Sequence, residues 1–270
     1  MTEKVLVLDI DGTLTNTQKE ITPATKQAIR TILKKGHKVI LASGRPTPGM
    51  RRYEQELKLD QYGGYLLSFN GARIIECRTG EIIYQRILPL SIIPGIYRFT
   101  KEHGCGLITY FGDNVISAYE PDEYVLLENR VNGMPIKVVD NFKEYVDFDI
   151  NKCLITVEPE LAEEYEKELR EKYGDIVSVY RSEPFYIEIM PKNVDKATSL
   201  DQMLKVIGQT RENTICCGDG FNDISMVRYA GVGVAMGNAQ PALKEVADYI
   251  TGTNDNDGLV QVIDTFIMNA

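Results

Sequence analysis

The sequence predicts an α/β protein: a doubly wound parallel sheet with a separate α+β unit inserted in its middle. Three observations predict it. Apolar runs without polar alternation stand at Val5–Leu8, Val39–Ala42 and Tyr65–Phe69, and again at Thr214–Cys217 and Val232–Met236; such runs are strands buried on both faces. Helical patterns separate them, which is the order that builds a parallel sheet. Between the two groups, from about Arg73 to Met190, the strands are short and joined by turns.

Each element has its own signal. Thr22 and Pro23 suit the cap and first position of a helix whose apolar stripe is Ala28, Ile29, Ile32 and Leu33, and Gly36 ends it. Asn70-Gly71 stops the strand Tyr65–Phe69. Ile74-Ile75 and Ile82-Ile83 flank a turn at Thr79-Gly80, and Leu107–Phe111 and Val115–Tyr119 flank Gly112-Asp113-Asn114. A strongly charged helix over 161–173 is expected to present a solvated face, and strands follow at 177–181 and 185–189. Ala197, Leu200, Leu204 and Ile207 mark the helix that reopens the first pattern, and helices are expected at 241–247 and 259–267. The core domain is therefore expected over 1–83 and 189–270, with the inserted α+β domain over 84–188. His37, beside a strand start, reads as a surface residue.

Composition narrows the function classes. With 43% hydrophobic and 26% charged residues among 270, the chain can build a core, which excludes a disordered or collagen-like protein. No apolar run reaches the roughly 18 residues of a membrane span. The opening Met1-Thr2-Glu3-Lys4 leads into an apolar run that ends at Asp9, too short and too soon acidic for a signal peptide. A net charge of -9, with no run of Lys or Arg longer than two, argues against nucleic acid as a partner. Five cysteines without a C-x-x-C pattern suit a reducing cytoplasm rather than a disulfide or zinc framework. Two histidines leave little for a histidine-based site, so catalysis is expected to run on carboxylates.

The chemistry-bearing residues follow the ends of the buried strands. Val5–Leu8 leads to Asp9-Ile10-Asp11-Gly12-Thr13, Val39–Ala42 to Ser43-Gly44-Arg45, and Thr214–Cys217 to Gly218-Asp219-Gly220-Phe221-Asn222-Asp223. In an open parallel sheet, ligands bind beyond the carboxyl ends of the strands, so these clusters are expected to share one rim. Four carboxylates there would repel one another and raise each other's pKa. A hard divalent cation resolves that, and few protein ligands with an open face favour Mg²⁺ over Ca²⁺. Ser43, the amides near Gly44 and Gly12, Lys196 and Asn222 supply donors for phosphate oxygens. Together these groups describe a phosphoryl-transfer site.

Those motifs, in this order, resemble the haloacid dehalogenase (HAD) superfamily. The likeness covers the whole chain, and the insert between the second and third motifs is similar to a type IIB cap. Asn70-Gly71-Ala72 and the run from Gly231 to Ala239 resemble the Cof-type sugar phosphatases. The resemblance implies that Asp9 is the nucleophile that forms an aspartyl phosphate and that Asp11 is the general acid and base. It implies Asp9, the Asp11 carbonyl and Asp219 around Mg²⁺, with Asp223 orienting metal-bound water or Lys196. Ser43, Gly44 and Asn222 would hold the phosphate, and Lys196 would neutralise both Asp9 and the transferring group. Thr13, Arg45 and Asn70 are further candidates: Arg45 either pairs locally or meets substrate, and Asn70-Gly71 is a turn signal in its own right. The insert would close over the site and read the leaving group, with Tyr186 and Glu188 as candidate side chains.

The expected activity is hydrolysis of small phosphorylated metabolites, with sugar phosphates what the resemblance implies. A phosphomutase sharing the intermediate is an alternative. A receiver-type phosphoacceptor also carries acids at strand ends, but such modules are shorter and lack an inserted domain.

Overall fold

The computed structural model describes residues 3–269, which divide into two compact units. One holds the chain up to Tyr84 and from Asp195 onward; the other is Gln85–Val194. The first contains an eight-stranded sheet built from β1 (Val5–Leu8), β2 (Lys38–Ala42), β3 (Tyr65–Ser68), β4 (Arg73–Glu76) and β5 (Ile82–Gln85). The second is built on β6 (Gly106–Phe111), β7 (Asn114–Ser117), β8 (Ile136–Val138), β9 (Cys153–Thr156), β10 (Val177–Glu183) and β11 (Tyr186–Pro191). The chain then returns to the first sheet with β12 (Thr214–Gly218), β13 (Val232–Ala235) and β14 (Tyr249–Ile250).

The larger sheet runs β14-β13-β12-β1-β2-β3-β4-β5. β1 pairs in parallel with both β2 and β12, in the registers Val5–Lys38 and Val5–Thr214. The chain winds outward from β1 in both directions, and the strand order reverses there. Parallel strands covered on both faces must be apolar throughout; Val5, Leu6, Val7, Leu8, Cys216 and Cys217 are fully buried. The helix Pro23–Lys34 starts as its residues require: Thr22 accepts from the Thr25 amide at 3.2 Å, and Ile29, Ile32 and Leu33 face the core. β4 pairs antiparallel with β3, so the turn at Thr79-Gly80 belongs to a hairpin that extends the edge of this sheet rather than to the insert.

The inserted unit's sheet runs β10-β11-β9-β6-β7-β8 and is antiparallel apart from the β7–β8 pair. Two corrections to the sequence reading arise here. A boundary between residues 188 and 189 would cut β11, whose ladder with β10 runs from Tyr186 to Pro191, so the insert extends to Val194. The charged helix, observed as Pro159–Tyr173, is amphipathic rather than simply solvated: Ala162, Leu169 and Tyr173 join the unit's core. A third correction concerns the first unit. His37 is buried, and its Nδ1 accepts from the Lys4 amide at 3.1 Å, which ties the start of β1 to β2. All five cysteines are buried and free.

Candidate active site

Three strand ends at the reversal of the sheet set the site. The ladder continues one residue past β1, where the Asp9 amide donates to the Cys217 carbonyl at 3.1 Å, and this places Asp9 beside the end of β12. Gly12 follows with φ +85, a conformation that glycine adopts without cost. Its Cα faces the Asp219 carboxylate so closely that a Cβ would collide with it. Thr13 donates its hydroxyl to Asp219 Oδ1 at 2.9 Å. The first and third clusters, more than two hundred residues apart in sequence, are thus in contact.

Lys196 opens the helix Lys196–Val206, capped by Asp195, whose carboxylate accepts from the Thr198 amide at 2.9 Å. Lys196 is 1% exposed, and its ammonium donates to Asp9 Oδ1 at 2.7 Å and Asp223 Oδ1 at 2.6 Å. The other Asp223 oxygen accepts from the Asp219 and Gly220 amides at 3.0 and 2.9 Å. Asp223 is therefore fully occupied in holding Lys196 and the turn. Asp9 and Asp219 each keep a carboxylate oxygen without a hydrogen-bond donor among the described residues. Asp9, Asp219 and Asp223 each bring a carboxylate oxygen within 4.8 Å of the others. When all three are ionised, these carboxylates exceed the single ammonium of Lys196 by two negative charges, the charge of a divalent cation.

Electrostatics follow from this crowding. Burial, then the Asp223 carboxylate, push Asp9 well above the usual carboxylate range, and Lys196 opposes them. Burial raises Asp219 to about 6 against the Thr13 hydrogen bond, with Asp223 adding to the rise. Lys196 is disfavoured as a cation by burial, yet Asp223 and Asp9 outweigh that and hold it protonated.

Asp11 sits in a different field. Arg45 clamps it in bidentate fashion, Nε to Oδ2 at 2.7 Å and Nη2 to Oδ1 at 2.8 Å, and Lys19 adds a third contact at 2.9 Å. Burial works against ionisation, but the two cations hold the carboxyl at about 2. Arg45 thus takes the local pairing that the sequence offered as one of its two roles. The Asp11 side chain is not one of the three carboxylates whose oxygens lie within 4.8 Å of one another.

The donors lie along the same cleft, which Asp9, Ser43, Gly44, Asp219 and Asn222 line. Ser43 is buried and accepts from the Arg45 amide at 3.2 Å. Asn222 is exposed and donates to the Asn70 side chain at 3.1 Å. Tyr186 and Glu188 belong to the inserted unit and are engaged inside it. Glu188 pairs with Lys152 at 3.3 Å and accepts from the Tyr180 hydroxyl at 3.1 Å, and Tyr186 donates to the Tyr124 carbonyl at 2.7 Å.

Two participants were not read from the sequence. Lys19 reaches Asp11 only because the chain turns back with Lys19 at φ +63. Asn238 donates to the Gly12 carbonyl at 2.8 Å and accepts from the Asn254 amide at 3.0 Å, and Asn254 in turn donates to the Thr15 carbonyl at 2.9 Å. The only sequence signal for them was Asn238 itself, in the run from Gly231 to Ala239.

Carboxylates set against an ammonium and a serine, at the reversal point of a doubly wound sheet, are the groups that phosphoryl transfer needs. Comparison with known proteins makes that specific. The sequence pattern of the haloacid dehalogenase-like hydrolases matches residues 6–263, and the chain belongs to this family of enzymes, several relatives of which are named as phosphatases. It is 29% identical, over 98% of its length and 96% of the relative's, to the 5-amino-6-(5-phospho-D-ribitylamino)uracil phosphatase YcsE of Bacillus subtilis. A solved haloacid dehalogenase-like hydrolase from Bacteroides thetaiotaomicron superposes with a TM-score of 0.94 at 40% identity, over 97% of this chain and 99% of that one. A HAD subclass IIB sugar phosphatase superposes with a TM-score of 0.83 at 28% identity, over 97% and 98% of the two chains.

Proposed function

We propose that the protein hydrolyses small phosphate monoesters, sugar phosphates foremost, by way of an aspartyl phosphate on Asp9. The observation that carries this reading is the Lys196 ammonium shared between Asp9 and Asp223, with one Asp9 oxygen left free to attack. A carboxylate nucleophile must approach an anionic phosphate, and a buried cation beside it lowers that barrier. In the first half-reaction the free oxygen of Asp9 bonds to phosphorus and the ester oxygen departs, taking a proton from Asp11. In the second, water attacks the acyl phosphate, Asp11 accepts its proton, and Asp9 is regenerated with release of phosphate. Arg45 and Lys19 favour the ionised form of Asp11, the form that the second half would require. To serve the first half it must leave Arg45 and Lys19 and carry a proton.

Asp9 and Asp219 would hold Mg²⁺ together with the Asp11 carbonyl, and Asp223 would keep Lys196 and the turn in place. The free oxygen of Asp219, the proximity of Asp9 to it and an excess of two negative charges over Lys196 support that assignment. When bound, the ion would offset negative charge on the phosphate. Ser43, the Gly44 amide and Asn222 would bind the phosphate oxygens. The sugar phosphatase among the structural neighbours and the ribityl phosphate ester named for YcsE support a polyhydroxylated leaving group. Five free, buried cysteines support a reducing, cytoplasmic setting. The test is phosphate release from a panel of sugar, nucleotide and cofactor phosphates with Mg²⁺ and with EDTA. Metal-dependent release without isomer formation is expected. Turnover unaffected by EDTA, or isomer formation without release, would overturn the proposal.

A further inference from the structure

The turn after β3 has an unusual backbone. Phe69 and Asn70 both have φ +52 and Gly71 has φ +105, three successive residues in the left-handed region. Asparagine tolerates this conformation, but a phenylalanine there is an outlier that the surroundings must enforce. The surroundings are the loops of the site. The Phe69 amide donates to the Arg45 carbonyl and the Asn70 amide to the Ser43 carbonyl, each at 2.9 Å. Gly71 lies against Ser199 and the Asp195 carbonyl, at the start of the helix that carries Lys196, so closely that a Cβ would collide. The Asn70 side chain lies over Gly44, where a Cβ would come within 3.2 Å of its amide oxygen. The turn thus touches the Ser43–Arg45 loop, the Lys196 helix and Asn222, whose side-chain amide donates to Asn70 Oδ1.

Asn222 is exposed, and its hydrogen bond to Asn70 Oδ1 is its only side-chain hydrogen bond among the described residues. The two ends of an amide are nearly the same shape but opposite in function, one a double donor and the other an acceptor. An anion requires the donor end. We infer that Asn70 is a positioning residue that fixes the orientation of the Asn222 amide, so that the second N–H of Asn222 is presented to a phosphate oxygen. The strained turn is what brings Oδ1 of Asn70 to that spot. This rests on Asn222 acting as a phosphate donor, as proposed above.

The test uses Asn70→Gly, Asn222→Ala and the double variant in the full chain. Glycine keeps the left-handed backbone and removes only the amide, so it separates the turn's shape from the side chain's role. The readouts are kcat and KM for p-nitrophenyl phosphate and the inhibition constant of inorganic phosphate, with thermal melts as a check on folding. Asn70→Gly is expected to lower kcat/KM and weaken phosphate inhibition by about three- to tenfold, the range of one hydrogen bond, with a cooperative melt. The double variant is expected to lose no more than Asn222→Ala alone, because the two residues act through one contact. An impaired Asn222→Ala beside an unaffected Asn70→Gly would overturn the inference and leave Asn222 as a donor. Additive losses in the double variant would also overturn it, since Asn70 would then act independently. An unaffected Asn222→Ala would remove the phosphate-donor reading itself, and the inference with it.

Discussion

Lys196 Nζ lies 2.7 Å from Oδ1 of Asp9, and both side chains are buried. The same ammonium reaches Asp223, so one cation holds two carboxylates that would otherwise repel each other. Removing one partner from such a buried pair leaves charge without compensation, which costs about 3–5 kcal/mol. Lys196→Ala is therefore expected to lower the melting midpoint by roughly 10 °C in metal-free buffer. Turnover should fall by about a hundredfold or more. Added Mg²⁺ should recover part of the melting shift but little of the turnover. Differential scanning fluorimetry and phosphate release read the two effects separately, and a wild-type melt would contradict the structural part of the argument.

Asp9→Asn separates chemistry from stability. The amide nearly preserves volume but cannot attack phosphorus, so turnover should fall to background. Burial and Asp223 already disfavour the charge on Asp9, so its removal relieves repulsion in the metal-free protein. The variant is expected to melt no lower than wild type in EDTA while failing to form an acid-stable phosphoenzyme. Near-normal phosphate release would contradict the assignment of the nucleophile.

Much of this site was legible in the sequence because it obeys one rule. Asp9, Ser43 and Asp219 each directly follow or end a buried apolar run, and parallel strands deliver their carboxyl ends to one rim. Gly12 and Thr13 belong to the same pattern, and their contacts with Asp219 came with it. What escaped the sequence depends on chain reversal rather than on strand order. Lys19 meets Asp11 across a turn whose backbone geometry no local signal specifies, and Asn238 meets the Gly12 carbonyl from a segment beyond β13. β9 was missed although Cys153–Thr156 is an apolar run, because the insert lacks the βαβ alternation that made the core strands recognisable.

Asp11→Asn tests the acid and base roles through the leaving group. Loss of the acid should slow the first half most for alkyl phosphates, whose alkoxides leave poorly, and least for p-nitrophenyl phosphate. Loss of the base slows the second half for every substrate, so the phosphoenzyme should accumulate when the leaving group is good. A drop of about 10²–10⁴ on alkyl esters is the usual scale of general acid catalysis. The substitution also dissolves the Arg45 clamp, so Arg45→Ala serves as the control. If both variants fall equally on all substrates, the effect is positional rather than proton transfer. Rapid-quench measurement of phosphoenzyme against substrate class distinguishes the two.

The Asp219 carboxyl gives the metal-free protein a pH dependence of definite sign. Its pKa is raised from 3.8 to about 6 in the folded state, mainly by burial. Between those values the folded protein retains a proton that the unfolded chain has released, so the metal-free fold loses stability as pH rises through this window. Asp9, raised in the same direction, adds to the loss. A divalent ion must displace the same protons, so its affinity rises with pH until both carboxyls are ionised. The melting shift produced by Mg²⁺ is therefore expected to be small near about pH 5 and larger near about pH 7.5. The metal-free midpoint should move the other way. Asp219→Asn should flatten much of both trends, because it removes the titrating group and a metal oxygen together. Thermal melts in EDTA and in Mg²⁺ across that range decide the matter: a metal-induced shift independent of pH would mean that the ion is not held by these carboxylates.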